Sequence, residues 1–197
     1  FEFKKSLYFS RNRKDLEWLK KEFDCRREHG FDVEWLEKEE LLEMGLDARA
    51  AILSKTAAVV DAYKLANDLL HACSEKGLKI FDRTEIQDIR ANKELLEVHC
   101  KNNFKLSVRN IIHCTGYEST ETLKEKVVDL KSTFAIASEV YRDFPKAFED
   151  HIFWSTDAPY LYFRGTPEKR IIMGGGDVPF KNAKSRDAML PKKVKQL

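Results

Sequence analysis

Three groups of residues have the types and the spacing to do chemistry. The first is Gly174, Gly175 and Gly176, three of the eight glycines, directly after the apolar run Ile171–Ile172–Met173. Glycines clustered at a strand end mean that the backbone turns sharply or is approached closely, as a flat cofactor or a phosphate would approach it. A bulge or tight turn without a ligand explains the same cluster. The second is Thr115–Gly116, which breaks the run Ile111–Ile112–His113–Cys114. An apolar strand ending in Thr-Gly brings backbone N–H groups to the sheet edge where ligands of α/β folds bind. A simple strand-ending turn is the plainer explanation. The third is Tyr160, Tyr162 and Arg164, which share one face of a strand by its two-residue period. Two phenols and a guanidinium suit an anion with an apolar portion, and Arg is the natural bidentate partner of a carboxylate. An exposed ion pair beside two half-buried tyrosines is the alternative.

Other chemistries find no footing. G-x-G-x-x-G fails at the glycine cluster, where Pro179 takes the third slot and no helix signal follows. There is no Gly-Lys-Ser/Thr of a phosphate loop and no G-x-S-x-G elbow. The four cysteines, Cys25, Cys73, Cys100 and Cys114, and the five histidines lack metal-ligand spacing. Free thiols in a reducing compartment are expected, which suggests the cytoplasm.

The elements that must position these groups follow from periodicity. A strand is expected at Phe3–Ser10 with Leu7 and Phe9 on one face. Asn12 caps a helix with an apolar stripe of Leu16, Leu19 and Phe23, ended by Gly30. Phe31, Val33 and Trp35 alternate as the apolar side of a half-buried strand. A short helix, Lys38–Met44, stops at Gly45, and Leu46–Val60 reads as irregular until a strand at Ala57–Val60. Asp61 caps helix Ala62–Lys76, with Leu65, Leu69, Ala72 and Cys73 as its buried face. Strands are then expected at Leu78–Phe81, Thr84–Arg90, Leu95–Cys100, Phe104–Val108 and Asn110–Cys114, joined by short turns such as Ala91–Glu94. A short helix around Thr120–Lys126 precedes strands at Ser132–Val140, Ile152–Ser155, Tyr160–Arg164 and Arg170–Met173. The tail carries Lys181, Lys184, Arg186, Lys192, Lys193 and Lys195 on what reads as a solvated helix face.

Composition bounds the rest. With 197 residues the chain is one large domain or two small ones and can bury a core without metals or disulfides. The 35 basic and 33 acidic residues leave a net charge of +2, which argues against nucleic acid or an anionic membrane as partner. No apolar run approaches the 18 or so residues of a membrane span. Gly and Pro total 13 of 197, about 7% against a usual share near 12%, which excludes low-complexity linkers. The chain starts without Met inside an expected strand and reads as a fragment of something longer. No linker separates its two strand-rich groups, so the expected class is α+β with a β-meander, in which either one mixed sheet is built or two lobes exchange strands.

In order, these pieces resemble the FAD-dependent amino-acid and amine oxidoreductases, the family of glycine oxidase, sarcosine oxidase and the D-amino acid dehydrogenases. The stretch Ala57-Ala58-Val59-Val60-Asp61-Ala62-Tyr63-Lys64-Leu65 looks like the family's helix entry. The likeness continues through Gly77–Ile80, Thr84–Ile89, Ile111–Tyr117, Tyr162–Arg164 and Arg170–Asp177. Ser6–Ser10 also looks like a family strand.

The resemblance implies a substrate-binding domain with an adjoining part of the FAD lobe. It divides the chain into residues 1–60 (substrate domain), 61–118 (FAD lobe), 119–173 (substrate domain) and 174–197 (return to the FAD lobe). It implies that Ile86 lies beside the adenosine of FAD. Cys114, Thr115 and Gly116 would run past its diphosphate and ribose, and Gly174, Gly175 and Gly176 would approach the flavin end. Arg164 would grip a substrate carboxylate, with Tyr162 and Tyr160 lining the pocket. The implied reaction moves a hydride from a carbon bearing an amine to the flavin. The family's N-terminal β-α-β unit with G-x-G-x-x-G is missing from this sequence. The chain alone is therefore expected neither to hold FAD nor to turn over. A non-enzymatic α+β module that binds a small anion or a protein partner is the competing expectation.

Overall fold

Leu7 and Phe9 stand two residues apart on β1 (Glu2–Ser10) and are 0% and 2% exposed. They nucleate one side of a seven-stranded mixed sheet in the computed structural model, which describes residues 1–92, 94–123 and 125–197. Lys93, in the expected turn Ala91–Glu94, and Lys124, in the expected helix Thr120–Lys126, lie outside the described residues.

Contacts divide the chain into unit 1, Phe1–Val60 with Asp129–Leu197, and unit 2, Asp61–Val128. Unit 1 contains β1, α1 (Leu16–Glu28), β2 (Val33–Glu37), α2 (Lys38–Glu43) and β3 (Ala50–Val59). Unit 2 contains α3 (Ala62–Glu75), β4 (Ile86–Asn92), β5 (Leu95–Cys100) and β6 (Lys105–Val108). The chain then returns to unit 1 with β7 (Lys131–Ala137), α4 (Lys146–Asp150), β8 (His151–Ser155), β9 (Leu161–Gly165), β10 (Ile171–Pro179), α5 (Ala183–Asp187) and α6 (Leu190–Gln196).

The sheet of unit 1 runs β2-β3-β1-β8-β9-β10-β7. All its pairs are antiparallel except β1 with β8, where Ser6 faces Ile152 and Tyr8 faces Trp154. That single parallel pair joins the first sixty residues to the last seventy. Side chains alternate across the sheet. On one face Leu7, Phe9, Leu36, Ala51, Leu53 and Phe153 pack with Leu41 of α2 and with Phe148 of α4. On the other, Leu19 and Phe23 of α1 pack on Ala50, Ile52, Tyr8, Val33 and Trp35. Leu7, Leu19, Leu41 and Ile52 are fully buried, and each contributes about 1.5–3 kcal/mol.

Several expectations give way here. β3 is a ten-residue central strand where irregular chain was expected. Ala50–Leu53 is buried on both faces, so no apolar alternation marks it. In β2 the buried residue is Leu36, and Phe31 lies outside the strand at 60% exposure. β10 does not stop at Met173. It continues through Gly174–Gly176 to Pro179, paired with β9 and β7, so residues 174–197 stay with unit 1. Unit 2 runs to Val128. Lys193 is 8% exposed rather than solvated: its Nζ donates to Gly176 O at 2.5 Å and to Gln196 Oε1 at 3.1 Å, above the Phe134 ring.

Unit 2 is a helix and an antiparallel meander, β4-β5-β6. Asp61 caps α3 as expected, its Oδ1 accepting from Lys64 N at 2.9 Å. The expected buried face of α3 is not buried: Leu69 is 57% exposed and no residue of the helix is fully covered. Leu78–Phe81 and Asn110–Cys114 have strand-like composition but form no strand. A strand requires a ladder partner, and among the described residues none pairs with either segment. The helix expected around Thr120–Lys126 is a 3-10 segment, Gly116–Thr122, placed earlier.

Candidate functional site

The open part of the sheet carries the candidate site. α1 covers one face only over β2, β3 and β1. Farther along the same face, β8, β9 and β10 present Ile152 and Trp154, then Arg164 and Tyr162, then Ile172 and Gly174, as cross-strand neighbours. A cleft of about 840 Å³ lies there, within unit 1, with Tyr8, Val59, Val60, Asp157 and Tyr160 also on its walls. Strand alternation places Arg164 and Tyr162 side by side, as expected, and Tyr160 joins them with its ring 5.8 Å from that of Tyr162.

Each wall has a physical anchor. Trp154 donates its indole N–H to Ser6 Oγ at 2.9 Å and lies 4.8 Å from the Tyr8 ring. Tyr8 is braced from behind by Trp18, edge-on at 5.9 Å, and by the Arg26 guanidinium at 5.6 Å. Burial and the Glu22 carboxylate push the Tyr8 phenol above its usual value near 10, so it stays neutral. Arg164 Nη1 donates to Gly165 O at 3.1 Å. No carboxylate lies within ion-pair distance of its guanidinium among the described residues. The acid in the cleft, Asp157, is held by Arg11 Nη2 at 2.6 Å.

The glycine cluster turns out to serve the sheet. A Cβ on Gly174 would lie 2.6 Å from Tyr162 Cε2 and closer still to Cζ and the hydroxyl. A Cβ on Gly175, at φ +137°, would strike the Tyr160 carbonyl. Gly176 has φ +63° and faces Lys193 Nζ. A register shift between Gly175 and Val178 marks a bulge against β7. These glycines let β9 and its tyrosines press onto β10. Beside them one carboxylate oxygen of Asp177 is buried and meets no donor among the described residues.

The remaining expected site residues lie in unit 2. Ile86 opens β4 opposite Cys100 and is 53% exposed. Cys114 is exposed, Thr115 Oγ1 lies 2.9 Å from Ser119 Oγ, and Gly116 has φ +61° with open space where a Cβ would stand. The structure thus brings Arg164, Tyr162, Tyr160 and Gly174 together and adds Tyr8, Trp154, Ile152 and Ile172, which sequence reasoning missed. Their parity opposite Leu7, Phe9 and Phe153 marked them as facing the other way. The antiparallel pairing of β9 with β8 and β10 puts Ile152, Trp154 and Ile172 beside Arg164 and Tyr162, and the parallel pairing of β1 with β8 adds Tyr8. No group of His, Cys, Asp and Glu suited to a metal occurs among the described residues. No helix of the described residues is long and apolar enough to cross a membrane.

Solved structures with this architecture are numerous. The chain superposes on L-proline dehydrogenase from P. horikoshii with a TM-score of 0.75 and 15% identity, covering 92% of this chain and 51% of that one. For glycine oxidase from Geobacillus kaustophilus the values are 0.76 and 18%, with 90% and 48% covered. For glycine oxidase from Bacillus cereus they are 0.75 and 16%, with 98% and 55% covered. The chain therefore spans about half the length of the structures it matches. No curated protein matches it in sequence. The model of the DAO family, described as FAD dependent oxidoreductase, matches residues 1–196. The chain belongs to the DAO family of FAD-dependent oxidoreductases.

Proposed function

We propose that the chain supplies the substrate-binding part, with an adjoining part of the cofactor lobe, of an enzyme that oxidises the C–N bond of an amino acid or amine. Unit 1 is read as the substrate part and unit 2 as cofactor lobe. The observation that carries the reading is Arg164: a guanidinium with donors engaged by no acid, on an open sheet face between apolar walls. Such a group holds a carboxylate in two parallel hydrogen bonds and so fixes the orientation of the carbon beside it.

The residues in unit 2 fit a flat, charged cofactor. Gly116 leaves its Cβ direction open, Cys114 is exposed, and half of Ile86 is uncovered. We assign Ile86, Cys114, Thr115 and Gly116 to the adenosine, ribose and diphosphate side of FAD. The role of Gly174–Gly176 toward the flavin rests on family likeness, together with the unpartnered oxygen of Asp177. FAD, when bound, supplies the redox chemistry by accepting a hydride from the amine-bearing carbon. This chain's residues bind, orient and exclude water. The four free thiols, Cys25, Cys73, Cys100 and Cys114, support a reducing, cytoplasmic setting.

The test uses the longer protein and compares kcat/KM for an amino acid and for the matching amine without a carboxylate. Arg164→Lys should cost the first about 10- to 150-fold, the equivalent of one bidentate charged hydrogen bond at about 1.5–3 kcal/mol. A point charge cannot reproduce the fork. The second should be spared. Equal losses on both, or none, would make Arg164 structural.

A further inference from the structure

We propose that the cleft selects a carboxylate ligand bearing a flat ring, and that the Gly174–Tyr162 pair sets this choice. The inference rests on the reading of Arg164 as carboxylate anchor and narrows its substrate class. Tyr162 does not stand up from the sheet. Its ring covers Gly174 on the neighbouring strand, and its hydroxyl comes within 3.4 Å of Thr133 Oγ1. Any side chain at position 174 would lift it. Tyr162 therefore forms a low floor, flanked by Tyr160 at 5.8 Å and by its cross-strand partner Trp154, itself fixed by Ser6 and Tyr8.

The distance from anchor to floor is one same-face step on β9, about 6.6 Å at 3.3 Å per residue. A ring two carbons removed from a carboxylate spans a comparable length. Aromatic rings gain most from neighbours 4.5–7 Å away, and the Tyr160 and Tyr162 rings, 5.8 Å apart, show that spacing. A ligand the size of glycine leaves most of the roughly 840 Å³ empty. The remaining walls, Val59, Val60, Ile152 and Ile172, are apolar, and the acid present is satisfied by Arg11.

The experiment titrates the 197-residue chain calorimetrically with 3-phenylpropanoate, 3-cyclohexylpropanoate and propanoate. The phenyl acid should bind about tenfold or more tighter than propanoate, with the cyclohexyl acid between them. Tyr162→Leu should lower the affinity of the phenyl acid about tenfold relative to propanoate and so abolish the phenyl preference. Tyr162→Phe should keep it. Gly174→Ala should lose it with propanoate still bound. Arg164→Gln should weaken all three acids about tenfold. Equal binding of the phenyl acid and propanoate, or a Tyr162→Leu effect common to both, overturns the ring selection and leaves the anchor standing. Loss of the preference in Tyr162→Phe does the same, because the hydroxyl would then be the selector. Unchanged binding in Arg164→Gln overturns the anchor. No binding of any acid at millimolar concentration overturns both.

Discussion

The ring of Tyr162 occupies the space in which a side chain at position 174 would stand. Close packing of β9 on β10 thus depends on a glycine that nothing in β10 itself requires. Gly174→Ala should destabilise the chain by about 1–3 kcal/mol, the usual range for overpacking. In a Tyr162→Ala background the same change should cost much less. Urea denaturation of the four variants in a double-mutant cycle measures the coupling. Additive losses would mean that the clash is relieved without moving Tyr162.

Lys193 links the C-terminal helix to the bulge of β10. Its ammonium donates to Gly176 O and Gln196 Oε1 and lies 5.4 Å from the centre of the Phe134 ring. Lys193→Met keeps most of the stem packing but leaves the Gly176 carbonyl without this donor. A loss of about 1–3 kcal/mol is expected in chemical denaturation, the range for a buried hydrogen-bond partner left unmade. A neutral outcome would place the stem, not the charge, at the origin of its burial.

His151 opens β8 and is 9% exposed, its Nδ1 3.0 Å from Ala147 O. Burial pulls its pKa below the ordinary 6.5, helped by Lys5 and only partly countered by the Ala147 carbonyl. The unfolded chain then binds the proton more readily than the folded one, so protonation favours unfolding. Its contribution to stability is complete above pH 6.5 and declines as the pH falls from there toward the depressed folded value. His151→Gln should flatten the stability profile in that window. A profile unchanged by the substitution would exclude His151 as its source.

Cofactor retention tests the proposed division of labour. The chain lacks G-x-G-x-x-G, and with it the helix N-terminus that would hold the diphosphate. We expect the 197-residue chain to purify colourless. A chain extended on its N-terminal side by a β-α-β unit, roughly 30 residues or more, should purify yellow. A flavin spectrum near full occupancy from the 197 residues alone would require the cofactor contacts to be reassigned.

The sequence by itself determined the local elements and the identity of the site's anchor. Asp61 caps α3 by accepting from a free amide of its first turn, while Asn12 caps not α1 itself but the 3-10 turn Arg13–Asp15 that leads into it. Leu7 and Phe9, Leu19 and Phe23, and Phe134 are buried where period 2 or 3.6 put them. Arg164 and Tyr162 share a strand face because alternation is a property of the backbone. The sequence could not determine which strand lies next to which. Residues 5–9 pair with 151–155 across most of the chain, and no local pattern encodes that parallel contact. β3 was hidden because burial on both faces erases the alternation that reveals a strand. The apolar stripes of α3, Leu78–Phe81 and Asn110–Cys114 were legible as patterns, but a pattern states what a segment would bury and not whether a partner is there to cover it. The sequence showed three clustered glycines but not their neighbours: the Tyr162 ring stands where a Gly174 side chain would lie, and the Tyr160 carbonyl where one at Gly175 would. Only the tertiary structure decided this, because the steric exclusion acts between residues twelve or more apart along the chain and side by side in the sheet.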